Sequence, residues 1–186
     1  MQVAEEVGAR AVGLAAEGVR PSQVLTADAF DNAITLMLAV GGSTNAIVHL
    51  LAIAGRAGVP LTLDRFHELS ARTPLLVNVR PAGEHLVEHV FHAGGIPAVM
   101  KSLESLLHTD ALTVTGKTVA DNLPAQPVAD TAVITSLDRP FQPPQGLAVV
   151  RGNLAPNGAV IKCAAASPDL LVHQGPAVVF LSLIHI

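Results

Sequence analysis

The spacing of apolar residues changes character once along this chain of 186 residues, and the change falls at Leu123. From Val3 to about Leu107 apolar residues recur at intervals of three and four, the spacing of helices that bury one face. Phe30, Ala33, Ile34, Met37 and Leu38 follow a Thr26 cap in this way, and Ile47, Leu50, Leu51 and Ala54 follow Ser43. Beyond Leu123, Pro124, Pro127, Pro140, Pro143 and Pro144 break any helix. The apolar residues there collect in short β-branched runs at 131–135, 147–150, 159–162 and 177–181. This predicts an α/β chain in two parts, residues 1–123 and 124–180, with the boundary at 123/124.

Turn signals divide the first part further. Gln2 to Gly18 reads as an amphipathic helix, Gly58-Val59-Pro60 ends the helix begun at Ser43, and Thr62 caps a short helix through Leu69. Leu75-Leu76-Val77-Asn78-Val79, enclosed by Pro74 and Pro81, predicts a buried strand. Helix resumes near Glu84, is interrupted at Gly94-Gly95 and continues from Val99 to Leu107. In the second part Asn157-Gly158 predicts a hairpin turn, and Ser167-Pro168-Asp169 a helix start.

Composition narrows the function classes. Half the residues are apolar, enough for a sizeable core, whereas 14% are charged and the net charge is −4. That balance offers no basic footprint for nucleic acid and no polybasic patch for a membrane. No apolar run approaches the length of a membrane span, and Met1 to Arg10 lack the pattern of a secretory signal. Trp and Tyr are absent, so a small ligand would be held by polar side chains and backbone. The single cysteine, Cys163, excludes an internal disulfide and cannot alone supply the thiolates of an iron–sulfur site; the expected compartment is the cytoplasm.

Four motifs invite chemistry. Gly41-Gly42-Ser43-Thr44-Asn45 opens a helix, and such a start offers free amides and short polar side chains to an anion, which makes Ser43, Thr44 and Asn45 the substrate-binding candidates. His85-Leu86-Val87-Glu88-His89 matches the H-x-x-E-H pattern of a zinc-peptidase class; on one helix His85, His89 and His92 would share a face, and two imidazoles with a carboxylate can hold zinc, so a zinc hydrolase using His85, Glu88 and His89 is the alternative enzyme. Gly116-Lys117-Thr118 imitates the end of a phosphate loop, but Ala111 stands where the pattern needs glycine, and Thr118 capping a turn toward Asp121 explains it more simply. Cys163 sits among small residues as a structural thiol. A non-catalytic binding module is the third alternative.

Six segments taken together resemble the dihydroxy-acid dehydratase and 6-phosphogluconate dehydratase family. In order they are Gly41-Gly42-Ser43-Thr44-Asn45-Ala46 with His49-Leu50-Leu51-Ala52-Ile53-Ala54; Ala93-Gly94-Gly95-Ile96-Pro97-Ala98-Val99; Leu112-Thr113-Val114-Thr115-Gly116-Lys117-Thr118; Arg151-Gly152-Asn153-Leu154-Ala155-Pro156-Asn157-Gly158-Ala159-Val160-Ile161-Lys162; Ala165-Ala166-Ser167-Pro168; and Gly175-Pro176-Ala177-Val178-Val179-Phe180. Leu107-His108-Thr109-Asp110-Ala111-Leu112 looks most like the members that act on sugar acids such as arabinonate or xylonate.

The resemblance implies the later, mostly helical part of an α/β/α domain, followed by the opening strands of a swivel-like β-barrel. It implies a hydro-lyase that dehydrates a 2,3-dihydroxy acid, either a sugar acid or a branched-chain dihydroxy acid, to a 2-keto acid. Members use an iron–sulfur cluster on three cysteines, Mg²⁺ beside a modified lysine, and a serine base. The resemblance places all of these ligands outside residues 1–180, so Cys163 is not a cluster ligand, Lys162 is not the metal-site lysine, and no catalytic residue is expected here. A homodimeric or dimer-of-dimers parent is implied. Leu181-Ser182-Leu183-Ile184-His185-Ile186 departs from the family pattern and is similar to a translated sequencing adapter, so 181–186 is expected to be non-native and the chain an internal, catalytically silent piece.

Overall fold

A computed structural model describes residues 2–123 and 130–182. The expected boundary at 123/124 abuts residues 124–129, and most of the expected tail is residues 183–186; both stretches lie outside the described residues. Among the described residues eight α-helices run in order as α1 (Gln2–Glu17), α2 (Pro21–Val24), α3 (Ala27–Ala39), α4 (Thr44–Ala57), α5 (Leu63–Ser70), α6 (Val87–His92), α7 (Gly95–Ser102) and α8 (Val119–Asn122). The sheet among the described residues is one antiparallel pair, β1 (Ala148–Gly152) and β2 (Ala155–Ile161). The architecture is therefore α/β with a small sheet. No described helix is long and apolar enough to cross a membrane.

Local chemistry accounts for the helix ends. Thr26 Oγ1 accepts from the Ala29 amide at 3.3 Å to start α3, and Ser43 Oγ accepts from the Asn45 amide at 3.1 Å to start α4. Gly58, with φ 72°, ends α4 in the left-handed conformation, where a side chain would be strained. Thr62 occupies the cap position of α5 without making a side-chain cap bond. Helix α1 is held loosely: Val3, Val7 and Val12 remain exposed, and Arg10 reaches across to the Val114 carbonyl at 3.1 Å.

The apolar faces meet in two clusters. Ile34, Met37 and Leu38 of α3 pack with Ile47, Phe66 and Leu69 and, from the second part, with Leu147 and Val149. Ala39, Leu76, Val77, Val99 and Leu103 pack with Val133 and Ile134. Each cluster thus draws on both parts of the chain. The Ser70 hydroxyl donates to the Leu147 carbonyl, adding a buried polar tie between α5 and the entry to β1.

Several local expectations are corrected. The 75–79 segment is buried and extended but is not a ladder strand: Leu75 bridges Gln142 while Val77 bridges Ile134, so 135–141 must loop out between two single bridges. Its amides are satisfied piecemeal, Leu76 by the Ala39 carbonyl at 2.8 Å and Asn78 by the Val133 carbonyl at 2.9 Å. The run at 131–135 is accordingly a turn ending in a bridge, and 177–181 is exposed without strand structure. The hairpin turns at Asn153-Leu154, between the paired Gly152 and Ala155, whereas Asn157-Gly158 lies inside β2. There Pro156 to Gly158 bulge opposite Arg151, and Gly158 takes a φ of 100°. After α7 the helix tightens into a 3-10 turn at Glu104–Leu106, and Ser167-Pro168 starts only the 3-10 turn Pro168–Leu170.

Candidate functional site

The turn from α3 to α4 is built by glycine. The Gly42 amide donates to the Met37 carbonyl at 2.8 Å and the Gly41 amide to that of Leu38 at 3.0 Å, which closes α3, while Gly41 takes a φ of 67°. A Cβ on Gly42 would lie 2.5 Å from Met37 Cγ and 2.7 Å from its carbonyl oxygen, so nothing larger fits without moving the end of α3. Gly42→Ala is expected to destabilise the protein by about 1–2 kcal/mol in urea melts.

Ser43 and Thr44 emerge from this turn into a cavity of about 440 Å³. Its other walls come from distant stretches: Arg80 and Pro81 from the turn after the buried 75–79 segment, and Lys162 from the residue after β2. Arg80 is fixed by its own amide donating to the His85 carbonyl at 2.9 Å and by its Nε donating to the Glu84 carbonyl at 3.2 Å. Lys162 is half-buried, and that burial holds its ammonium below the ordinary lysine value, because desolvation disfavours the charged form. Asn45 is exposed, its amide capped by Ser43, and it does not line the cavity. The sequence candidates Ser43 and Thr44 are therefore joined by Arg80 and Lys162, which reading along the chain missed. Their only signal was a single cation at the end of each apolar run.

The other motifs resolve differently. His85 precedes α6, bridging Val79 through the backbone, so the expected helix from Glu84 begins instead at Val87 and His85, Glu88 and His89 do not form one helical face. His89 Nδ1 accepts from the Leu86 amide at 3.2 Å, and Glu88 lies 3.8 Å from His92. Among the described residues no three His, Cys, Asp or Glu side chains are placed to hold a metal ion, which removes the basis for the zinc hydrolase. Gly116 and Thr118 shape a capped turn: Thr118 Oγ1 accepts from the Asp121 amide at 3.2 Å, and Thr118 bonds hold the Asp121 carboxyl below its ordinary value. Cys163 is half-buried in a 3-10 turn that the Ala164 amide ties to the Gly146 carbonyl at 2.8 Å. A cavity of about 520 Å³ beside α2 and α4 is lined by apolar groups, Ser22 and Arg56, and offers no acid–base pair.

Comparison with known proteins bears on this arrangement. Residues 1–122 match the dihydroxy-acid/6-phosphogluconate dehydratase N-terminal family and residues 132–184 the corresponding C-terminal family. A dihydroxy-acid dehydratase of Acetivibrio thermocellus is 48% identical over 97% of this chain, which spans 33% of that protein. An L-arabonate dehydratase of Azospirillum brasilense is 49% identical over 96% of the chain, spanning 31% of that protein. An L-arabinonate dehydratase of Rhizobium leguminosarum is 47% identical over the same share. The chain spans about a third of the length of these curated relatives. With both family stretches present in order and meeting around the glycine turn, the chain belongs to the dihydroxy-acid/6-phosphogluconate dehydratase family.

Proposed function

We propose that this chain is the substrate-holding middle of a hydro-lyase that converts a 2,3-dihydroxy acid into a 2-keto acid and water. The observation that carries the reading is the near-complete alignment, at 48% and 49% identity, with a dihydroxy-acid dehydratase and an L-arabonate dehydratase. The reaction breaks the C2–H and C3–O bonds. The C2 proton goes to a base, hydroxide leaves C3, and the resulting enol tautomerises to the keto acid. Hydroxide leaves poorly at neutral pH, so the whole protein needs an acid at C3 and a base at C2.

The family's iron–sulfur cluster and Mg²⁺ do not fit the donor set present. Cys163 is the one thiol, and the described residues hold no group of three metal-ligating side chains. In this reading their ligands belong to the parent outside residues 1–180, and the present residues contribute binding through Ser43 and Thr44, with Asn45 securing the turn. The boundary at 123/124 separates a cluster-bearing domain from a barrel whose first strands are β1 and β2, completed by strands beyond this chain. The segment Leu107 to Leu112 favours a sugar acid over a branched-chain acid. The parent is read as a cytoplasmic homodimer or dimer of dimers.

The test uses a full-length protein containing this stretch, reconstituted with iron and sulfide and given L-arabinonate, D-xylonate or 2,3-dihydroxy-3-methylbutanoate. A 2-keto acid is expected from a sugar acid, and none from the 186-residue chain alone. Absence of keto acid from all three with the reconstituted protein would refute the reading.

A further inference from the structure

Helix α1 carries an apolar stripe that the described residues leave largely uncovered. Val3, Val7 and Leu14 recur at intervals of four and seven, the spacing of a single helical face, yet Val3 is 71% and Val7 63% exposed. Leu14, at the far end of the stripe, lines a cavity of about 220 Å³ with Val24, Leu25 and Val114. Glu6 borders the exposed end, and among the described residues no ion pair engages it. A surface of opposite charge lies beside α2. The cavity of about 520 Å³ beside α2 and α4 meets the smaller one at Pro21 and Leu25, and Ile53 on its wall is 46% exposed. Arg56 stands at the larger cavity and Arg20 at the smaller. Among the described residues neither arginine is in an ion pair, and no carboxylate lines either space.

An apolar groove rimmed by unpaired cations is complementary to an apolar strip edged by a carboxylate, and the start of α1 is such a strip. It does not fill the groove of its own chain, since Val3, Val7 and Ile53 all stay exposed. Val3 lies about 16 Å along the helix axis from Leu14. We infer that this face joins two copies of the chain, each laying Val3, Glu6 and Val7 of α1 into the α2–α4 groove of the other. Apolar burial supplies the attraction, and Glu6 approaching Arg56 fixes the register. Because strip and groove belong to one chain, a two-fold exchange uses the contact twice and closes, leaving neither surface open to a third copy. The inference rests on this surface alone and not on the hydro-lyase reading.

Sedimentation velocity over a range of concentrations tests this, on the 186-residue chain and on a full-length protein containing it. Both are expected to dimerise. Glu6→Arg and Arg56→Glu are each expected to weaken association about tenfold, as an exposed ion pair becomes a like-charge contact, and the two together to recover most of it. Ile53→Glu should leave monomers of unchanged urea stability, because Ile53 lies outside both core clusters. Disulfide trapping reads the contact directly: in a Cys163→Ser background, Val7→Cys mixed with Ile53→Cys should give a linked pair, and neither should link alone. Monomers at every concentration in either protein would overturn the proposal, as would dimers indifferent to all three substitutions or a cysteine mixture that fails to link. In the full-length protein, α1 amides that resist hydrogen exchange while Ile53→Glu leaves association unaltered would mean that the parent's own chain covers this face, which also overturns it. Keto acid formed by that variant keeps the hydro-lyase reading whichever way the interface is decided.

Discussion

Truncating Phe66 to alanine is expected to lower stability by about 3–5 kcal/mol, the range for removing a buried aromatic ring. Phe66 is fully buried in α5, in the cluster built from Ile34, Met37 and Leu38 of α3, Ile47 of α4, and Leu147 and Val149 at the hairpin. The ring therefore supports helical and hairpin elements together. The exposed ion pair across the same junction is a poor substitute: Arg151 donates to Asp64 at 2.6 Å, but both side chains are well exposed, and exposed pairs contribute about 0–1 kcal/mol. Small domains have about 5–15 kcal/mol in total, so Phe66→Ala should sit close to its unfolding transition. Urea denaturation gives the magnitude, and hydrogen exchange gives the distribution. Amides of Val149 and Val160 should lose protection along with those of α3. A hairpin that stays protected while α3 opens would mean that the two parts do not share this core.

The elements that could be read directly are those whose ends are chemically marked. Helices α3 and α4 announce themselves because Thr26 and Ser43 cap them, Gly58 stops α4, and the three-and-four spacing has no competing period. The buried 75–79 segment shows the limit of such reading. Its apolar content correctly indicates burial, but whether extended backbone becomes a ladder depends on the partner, and the partner here loops out between its two bridges. His85 fails as a helical residue for the same reason: a backbone pairing with Val79 outweighs a local preference worth a few tenths of a kilocalorie. Asn157-Gly158 carries a strong turn signal, yet the left-handed conformation that Gly158 supplies is used in a bulge instead of a turn. At the candidate site Ser43 and Thr44 were visible because helix starts have a local signature. Arg80 and Lys162 were not, since their meeting is decided by how the two parts pack and leaves no spacing to detect.

Arg65→Met is expected to cost about 2–3 kcal/mol at pH 7, because it strands a buried charge. Asp31, on α3, is 8% exposed and takes both its oxygens to Arg65 of α5, with Nε at 2.9 Å from Oδ1 and Nη2 bonded to Oδ2. Burial, the largest single influence, pushes the Asp31 carboxyl up, but the Arg65 hydrogen bonds and charge, joined by smaller contributions from His108, together pull it below the ordinary carboxylate value. The partial exposure of Arg65 keeps the expected cost below that of a fully enclosed pair. The sign of the pH effect follows. A carboxyl lowered in the folded state contributes stability above its unfolded value, about 3.9, and loses that contribution as pH falls through the folded value. Without Arg65 the burial remains, and the nearest residual cation is His108 when protonated, 3.5 Å from Oδ2, with Asp28 competing for the same ring at 3.7 Å. The variant carboxyl should therefore be raised, and the penalty should shrink to under about 1 kcal/mol by pH 3, where a neutral Asp31 no longer requires a partner. Asp31→Asn in the Arg65→Met background should recover about 1–2 kcal/mol at pH 7 and nothing at pH 3, a coupling that urea melts of the four-member cycle can measure. A penalty that stays constant between pH 7 and pH 3 would instead assign the role of Arg65 to the packing of its aliphatic stem against α3.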